Sequence, residues 1–281
     1  MTTRSKLLVV MCFVVCWLLW LGTNVGRATE PLPSAHAHND YWHERPLLDA
    51  LDRGFTSVEA DVFLVNGQLQ VGHEVTELKP DRTLESLYLE PLSRRVRKNG
   101  GHVYPNGQRF FLLVDIKSDA DATYQQLHDV LTKHADMLTR VDSGKTERGA
   151  VTVVLSGNRP VEAVSNASIR YVGLDGRLGD LSSEAPADLM PMISDSWSTH
   201  FTWRGKGPIP PTERTKLREI VRKAHAAGRV VRFWATPENE AVWRELRLAG
   251  VDLIGSDQLG RLARFLSTAA AASRSSVRRV E

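Results

Sequence analysis

The sequence predicts an α/β fold built as a single (β/α)8 TIM barrel, and three observations support this prediction. Short apolar segments alternate with helical patterns along the chain, which is typical of a parallel sheet covered by helices. Eight such apolar segments occur, enough to close a barrel, and no linker divides them into two domains. Subtracting an N-terminal segment of 28 residues from 281 leaves 253 residues, about the usual length of one barrel.

The N-terminal segment has the composition of a secretory signal peptide. Arg4 and Lys6 precede an unbroken apolar run over residues 7–21, and small residues up to Ala28 provide a site for signal peptidase. The run is shorter than the ~20 residues that a transmembrane helix needs. We therefore expect residues 1–28 to be removed and the protein to be exported, either to the periplasm or to the medium. The alternative is an uncleaved membrane anchor formed by residues 7–21.

The amino-acid composition indicates how the mature chain is stabilised and which class of partner it does not bind. Cys12 and Cys16 both lie in the signal segment, so no disulfide is expected in the mature chain and a large core must stabilise it. Without residues 1–28 the chain loses three of its 36 basic residues, which leaves 33 basic against 33 acidic residues. This balance predicts no nucleic-acid binding.

The eight predicted strands follow one another along the whole mature chain. They are expected near residues 35–37, 57–64, 110–117, 151–156, 170–174, 190–194, 230–235 and 253–256. A turn after the second strand leads into a short extra strand over residues 68–72. Apolar residues with helical spacing predict helices around residues 124–131 and 217–224.

The helix after the seventh strand can be bounded by its capping residues. Thr236 is predicted as its N-cap, Pro237 as its first residue and Gly250 as its C-cap. The barrel domain is expected to span residues 29–266. Residues 267–281 are rich in Ser, Ala and Arg and are predicted to form a disordered tail.

Carboxylates occupy strand positions that usually carry apolar side chains. Glu59 and Asp61 are two residues apart on the second strand, so both point to the same face. Two such carboxylates repel each other unless a cation lies between them, and oxygen ligands suit Mg²⁺ or Ca²⁺. Asp115 ends the apolar run of the third strand, at the end where barrel active sites lie. Lys117 could contact a phosphate oxygen there. The alternatives are solvated acids on an edge strand and a loop-anchoring Asp115.

Three histidines follow strands close to these acids. His36 and His38 share one face at the end of the first strand, and His73 ends the short extra strand. Histidine titrates near neutral pH and can act as a general acid or base. Trp234, at the end of the seventh strand, is predicted to wall the pocket, with packing as its alternative. Asp257, after the last strand, either caps the next helix, which is the preferred interpretation, or lines the pocket.

This order of motifs resembles the glycerophosphodiester phosphodiesterase superfamily, which also contains phosphatidylinositol-specific phospholipase C and sphingomyelinase D. Residues 36–42, 57–62 and 83–89 are similar to the altered-inheritance-of-mitochondria subgroup, and the resemblance extends from about Ser34 to Phe265. It implies a phosphoric diester hydrolase acting on a glycerophosphodiester or a phospholipid. A soluble small molecule and a membrane surface are both candidate partners.

The resemblance also implies a role for individual residues. Three carboxylates would hold one divalent metal ion, Mg²⁺ or Ca²⁺: Glu59, Asp61 and Asp115. Two histidines would be catalytic, acting as general acid and base: His38 and His73. Position near the ends of predicted strands, and not the resemblance, makes three further side chains candidates for substrate binding: His36, Lys117 and Trp234. Spacing to the acidic pair favours His38 over His36 as the catalytic partner.

Departures from the superfamily pattern leave the headgroup and two other functions open. The usual His-Arg-Gly is replaced by His38-Asn39-Asp40, so the phosphate-contacting arginine is missing at that point. A metal-dependent hydrolase of the amidohydrolase or phosphatase type also begins with His-x-His. It needs further histidines after the middle strands, and the strands that end at Ser156, Leu174 and Ser194 have none close by. The remaining alternative is a non-catalytic barrel that binds a headgroup.

Overall fold

Eight parallel strands close into a barrel with helices around it, which confirms the predicted fold. The structure, a computed structural model, describes residues 29–277 and the side chains up to residue 269. In chain order the barrel strands β1 to β8 are Leu32–Ala37, Phe55–Val65, Phe110–Ile116, Val151–Gly157, Val172–Gly176, Met192–Ser196, Val230–Trp234 and Leu253–Ser256. Each strand pairs with the next in parallel, and β1 pairs with both β2 and β8, so the sheet closes.

The helices connect the strands and cover the barrel. In chain order α1 to α8 are Leu48–Leu51, Glu90–Lys98, Ala120–Thr132, Val161–Asn166, Trp197–His200, Pro211–Ala226, Glu240–Ala249 and Leu259–Val277. Shorter helical turns occur at Asp40–Trp42, Val75–Glu77, Glu85–Leu89, Ala135–Met137 and Leu178–Ser182. Within residues 29–277, no helix combines the length and the apolar character needed to cross a bilayer.

Four further strands lie outside the barrel. The strand Gln68–Val71 pairs antiparallel with β2, where the sequence predicts a short extra strand. The strands Arg140–Asp142, Lys145–Glu147 and Ile169–Arg170 form a separate three-stranded sheet, which the sequence analysis did not predict.

The helices pack onto the barrel through apolar faces with the expected spacing. Helix α6 buries Leu217, Ile220, Val221 and Ala224, which repeat at intervals of three and four residues. This pattern matches the predicted helix around residues 217–224. The helical side chains join one large core cluster with the outer faces of the strands.

The barrel interior has an apolar layer followed by a polar layer. The apolar layer contains Phe111, Leu113, Val154, Met192 and Leu253. Because side chains alternate along a strand, residues two positions further on point to the same side. At those positions the strands carry polar groups, among them Asp115, Ser156 and Ser194. The polar side chains of the barrel interior therefore lie towards the C-terminal ends of the strands.

The N-terminal boundary of α7 differs from the prediction. The helix begins at Glu240, and its N-cap is Asn239, whose side-chain oxygen accepts a hydrogen bond from the Val242 amide. Thr236 is therefore not the cap, and Pro237 lies in the preceding turn. Asn and Thr are both good N-caps, and the prediction at Thr236 did not consider Asn239, three residues further on. The predicted C-cap is correct, since Gly250 ends the helix with φ 86°.

The predictions for the two ends of the chain concern a signal peptide and a disordered tail. The predicted signal peptide, residues 1–28, lies outside the described residues. At the other end, α8 continues to Val277, whereas the sequence predicts a tail from residue 267. Residues 269–272 are four alanines, the residue with the strongest helix propensity, which explains the continuation.

Candidate active site

Three carboxylates meet near the C-terminal ends of β2 and β3. Glu59 and Asp61 lie on β2, and Asp115 on β3 is in register with Asp61. One ligand oxygen from each residue lies within 4.8 Å of the others, and we call these three residues the acidic cluster. A Cβ atom at Gly157 would lie 2.2 Å from Oδ1 of Asp115, so only glycine leaves room for this carboxylate.

Two cations pair with the acidic cluster. The guanidinium of Arg232, on β7, donates to Oε2 of Glu59, and both side chains are almost fully buried. Nζ of Lys117 lies 3.0 Å from Oδ2 of Asp61 and 3.2 Å from Oδ1 of Asp115. When all three carboxylates are ionised, they outnumber these two cations by one.

Burial and ion pairing affect the carboxyl groups differently. Burial raises the pKa of Asp115 to about 6, opposed by Lys117 and assisted by the charges of Asp61 and Glu59. Burial also acts to raise the pKa of Glu59, but the charge of Arg232 and the hydrogen bond from His36 outweigh it and lower that pKa. Of these two carboxyl groups, only Glu59 has a counter-ion that outweighs the effect of burial on its pKa.

The acidic cluster fits a divalent cation. Oδ1 of Asp61 is buried and has no hydrogen-bond partner within the described part of the chain, which is costly unless something occupies that position. Carboxylate oxygens are the ligands that Mg²⁺ and Ca²⁺ prefer, and a cation would offset the remaining negative charge. Among the described side chains, no other group of three or more ligand-type residues meets this distance criterion. The three predicted metal ligands therefore lie together.

His38 lies at the mouth of the barrel and pairs with Asp257. Nδ1 of His38 is 2.7 Å from Oδ1 of Asp257, directly after β8. Burial acts to lower the pKa of His38, but this hydrogen bond and the charge of Glu59 outweigh it and raise the pKa. The carboxylate fixes the proton on Nδ1 and leaves Nε2 for other partners. This contact supports the pocket role of Asp257 and not the preferred interpretation as a helix cap.

His73 is paired with a carboxylate in the same way. Its Nδ1 lies 2.9 Å from Oδ2 of Asp61, and its ring is partly exposed. The ring of Trp42 packs edge-on against it, with the two centroids 5.6 Å apart. Both predicted catalytic histidines therefore have Nδ1 held by a carboxylate and Nε2 left free for proton transfer.

Tyr41 and Asn39 lie between the two histidine–carboxylate pairs. The hydroxyl of Tyr41 lies 2.8 Å from Oδ2 of Asp61 and 2.7 Å from Oδ1 of Asn39, and it donates its one proton to either of these acceptors. The amide of Asn39 donates to Oδ1 of Asp257 over 3.4 Å. Burial and the charge of Asp61 raise the pKa of Tyr41, so the hydroxyl remains a donor. Sequence analysis did not assign Tyr41 or Asn39 to the site; their only signal is their position beside His38.

His36 does not reach the surface of the site, contrary to its predicted role in substrate binding. Its side chain is fully buried, with Nδ1 2.7 Å from Oγ of Ser57 and Nε2 3.1 Å from Oε2 of Glu59. Burial and the charge of Arg232 lower the pKa of His36 to about 4, so the ring is neutral at pH 7. His36 is therefore a positioning residue that donates to Glu59, because both ring nitrogens are already engaged.

Two buried charges in the polar layer were not predicted. Arg232 stands in the middle of the apolar strand β7, and Asp175 is fully buried on β5. Oδ2 of Asp175 accepts hydrogen bonds from Ser156 and Ser194 over 2.9 and 2.5 Å, and Arg177 pairs with it over 2.8 Å. The signal was present in the sequence, since a charge inside an apolar strand needs a partner.

Trp234 borders a cavity next to His38. The cavity has a volume of about 160 Å³, and Asp257 and Thr236 also line it. Ala235, the next residue, has φ 52°, an unfavourable value for a residue with a side chain. Trp234 therefore lines a cavity at the mouth of the barrel, and its part in binding a substrate stays a prediction.

Removing Arg232 is expected to destabilise the fold strongly. The variant Arg232→Met leaves the Glu59 carboxylate buried without its main counter-ion, which costs roughly 3–5 kcal/mol of unfolding free energy. Urea denaturation at pH 7 measures this loss. The double variant Arg232→Met/Glu59→Gln should recover most of it, because no unpaired charge remains. Arg222→Met, in the exposed pair with Glu219, is the control and should leave the midpoint unchanged. Wild-type stability of Arg232→Met would contradict the expectation.

Asp40 makes stability depend on pH. It is buried and accepts a hydrogen bond from the Leu47 amide, and burial raises its pKa to about 7 despite that bond. In the unfolded chain an aspartate titrates near pH 4. Between pH 4 and pH 7 the folded state therefore binds more protons at Asp40 than the unfolded state does. The free energy of unfolding consequently decreases as the pH rises through this range.

The variant Asp40→Asn is expected to remove this pH dependence. The amide keeps an acceptor for Leu47 and carries no charge, so stability at pH 8 should increase, by roughly 1.4 kcal/mol for each unit of pKa shift removed. Urea denaturation of both proteins at pH 4.5, 6 and 8 measures the effect. Asp129→Asn on the exposed face of α3 is the matched control. Parallel pH profiles for wild type and Asp40→Asn would refute the assignment.

Comparison with known proteins identifies the family. Residues 23–175 match the AIM6-like phosphodiesterase domain. The altered inheritance of mitochondria protein 6 homolog of Arthroderma benhamiae is 33% identical over 272 residues, covering 84% of this chain and 84% of that protein. The altered inheritance of mitochondria protein 6 of Eremothecium gossypii is 34% identical over 280 residues, covering 86% of this chain and 72% of that protein.

The solved structures that resemble this chain are much more distant in sequence. A glycerophosphodiester phosphodiesterase from Parabacteroides distasonis has 14% identity and a TM-score of 0.49, covering 86% of this chain and 99% of its own. The family assignment therefore rests on the domain match, which includes more than half of the residues, and on the two fungal relatives. The chain belongs to the family of AIM6-like phosphodiesterase domains.

Proposed function

We propose that the protein is an exported, metal-dependent phosphodiesterase that hydrolyses a glycerophosphodiester or a phospholipid-type phosphodiester by histidine acid–base catalysis. One observation carries the proposal: two histidines, each paired through Nδ1 with a carboxylate, lie beside the acidic cluster. The phosphodiesterase domain of the family supports the same class of reaction.

The negatively charged phosphate needs cations to bind. The acidic cluster would hold one Mg²⁺ or Ca²⁺ ion, which when bound would neutralise charge on the phosphoryl oxygens. Lys117 is partly exposed beside the acidic cluster and can donate to a phosphoryl oxygen. In this proposal it takes the place of the arginine that is missing from His38-Asn39-Asp40.

His38 and His73 carry out the proton transfers in the proposed reaction. Nε2 of one ring takes the proton from the attacking hydroxyl as the new O–P bond forms. Nε2 of the other ring gives a proton to the alcohol oxygen as its bond to phosphorus breaks. When the attacking hydroxyl belongs to the substrate, the product is a cyclic phosphate, which water then opens with the two roles exchanged. His36 keeps Glu59 in place below this site.

The cavity beside His38 suits one of the two alcohols of the substrate. Its volume of about 160 Å³ and its wall formed by Trp234 favour a small polar group with some apolar surface. Trp42, which packs against His73, has 53% of its surface exposed at the same end of the barrel. A soluble diester and a phospholipid at a membrane surface therefore both remain candidate substrates in this proposal.

Phosphodiester hydrolysis by the purified chain tests the proposal. The substrates are bis(4-nitrophenyl) phosphate, a panel of glycerophosphodiesters and phospholipid vesicles, each with Mg²⁺, Ca²⁺ or EDTA. Turnover that requires a metal is expected, and the panel then identifies the headgroup. No turnover of any diester by folded, metal-loaded protein would refute it, and saturable headgroup binding without product would indicate a binding barrel instead.

The alternative of a His-x-His hydrolase has less support from the geometry. Both ring nitrogens of His36 are engaged, and the described group that could hold a metal contains no histidine. Zinc retained by the purified protein would favour that alternative.

Export is proposed from the N-terminal sequence. We expect N-terminal sequencing of the protein from its native host to find a chain that begins near residue 29, outside the cytoplasm. A chain that begins at Met1 in the membrane fraction would instead support the anchor formed by residues 7–21.

A further inference from the structure

A second cavity lies at the opposite end of the barrel from the proposed active site. Its volume is about 180 Å³, and residues at the starts of β4, β5 and β7 line it, together with the small three-stranded sheet. We call it the basal cavity. None of the residues assigned to the proposed reaction borders it.

Two arginines at the basal cavity have no counter-ion. Arg109 and Arg148 both border the cavity, and neither forms an ion pair with a carboxylate within the described part of the chain. Burial and the neighbouring charge of Arg148 lower the pKa of Arg109, and the charge of Asp252, which is not ion-paired with it, opposes them only in part. The guanidinium of Arg109 lies 5.0 Å from the centre of the Phe111 ring. Two adjacent cations repel each other, and an anion between them would remove that repulsion.

The remaining charges at the basal cavity compensate each other. Arg170 donates to the backbone oxygen of Asp188 and lies 3.4 Å from its carboxylate. Thr146 donates to the same carboxylate over 3.0 Å. The three arginines and one aspartate of the lining therefore carry a net charge of +2, and this excess belongs to Arg109 and Arg148.

The other lining residues indicate which chemical groups, besides the anionic one, a ligand of the basal cavity could have. The hydroxyls of Thr139 and Thr152 lie 3.0 Å apart and can bind an oxygen of the ligand. Val141, Val153 and Val230 provide an apolar wall. A cavity of roughly 150 Å³ in another protein accepts benzene, so the basal cavity has room for a group of similar size.

We propose that the basal cavity binds a small organic anion, whose phosphate or carboxylate pairs with Arg109 and Arg148 and whose short carbon skeleton lies against the valines. This site is separate from the proposed active site, and its occupation does not depend on phosphodiester hydrolysis. A phosphate monoester and an aromatic carboxylate share the required chemistry, and binding measurements distinguish them.

Calorimetric titration of the full chain tests this proposal. The probes are glycerol 3-phosphate, inorganic phosphate and benzoate, each at low ionic strength and with divalent metal ions removed beforehand on a chelating resin. We expect at least one organic anion to bind, and the double variant Arg109→Gln/Arg148→Gln to weaken its binding about tenfold or more, because both charge-assisted hydrogen bonds are lost. Arg244→Gln, on the exposed face of α7, is the matched control and should bind as the wild type does.

The single variants and the thermal midpoint complete the test. Each single substitution should weaken binding by about threefold or more. The midpoint of ligand-free Arg148→Gln should remain unchanged because Arg148 is exposed, whereas Arg109→Gln also loses the contact with the Phe111 ring, so its binding is measured well below its midpoint. Binding of equal strength in wild type and double variant would place the anion elsewhere and overturn the proposal. The absence of binding for all three probes would also overturn it.

Discussion

The variant Asp61→Asn is expected to reduce phosphodiester hydrolysis about 10³-fold or more. In the proposed mechanism Asp61 has two separate tasks, since its unpartnered Oδ1 would ligate the metal ion and its Oδ2 contacts His73 and Lys117. The substitution removes a negative ligand and also the charge that orients both partners. Losing several kcal/mol of transition-state stabilisation corresponds to a loss of this size.

The comparison that checks this expectation uses kcat/KM for one diester and the affinity for Mg²⁺ or Ca²⁺. Asp129→Asn is again the control, because its side chain is exposed on α3. The Asp61→Asn protein should remain folded by circular dichroism and bind the metal more weakly. Activity within about tenfold of wild type would show that Asp61 has neither task.

Replacing His38 by Gln is expected to reduce kcat by about 10²–10⁴-fold, the usual contribution of a general acid or base. Asp257→Asn should cause a smaller loss, because the histidine remains but loses the carboxylate that holds Nδ1. The hydrogen bond to Asp257 raises the pKa of His38, so its removal should lower that pKa. The limb of the pH–rate profile that belongs to His38 should then move to lower pH in Asp257→Asn.

A matched control for this pair exists elsewhere in the chain. His225, on α6, has Nε2 2.8 Å from Oδ2 of Asp252, and the pair is exposed away from the acidic cluster. His225→Gln is expected to leave the pH–rate profile unchanged. Full activity of His38→Gln, or an unshifted limb in Asp257→Asn, would remove His38 from the proposed mechanism.

Local signals in the sequence predicted most of the acidic site. Glu59 and Asp61 were found because strand periodicity places them on one face, and Asp115 because a charge ends an apolar run. The same reasoning applies to Arg232, a charge within the apolar residues of β7, although the sequence analysis did not use it. These residues share one physical signal: a buried charge that requires a partner.

Other features depended on contacts between distant strands. His38 and Asp257 are 219 positions apart, and nothing near either residue indicates that they meet. The distinction between His36 and His38 likewise depends on depth, because one ring is buried under Glu59 and the other lies at the barrel mouth. A sequence shows which face of a strand a residue occupies, but its depth follows from the register with neighbouring strands.

Closure of the barrel through β1 and β8 has a consequence for the timing of activity. The ribosome synthesises β1 among the first barrel elements and β8 as the last strand, and His38 meets Asp257 only when these two strands pair. A partly synthesised or truncated chain can contain the whole acidic cluster and still lack an oriented base. In the proposed mechanism the full rate therefore requires the whole chain, because only the last strand brings Asp257 to His38.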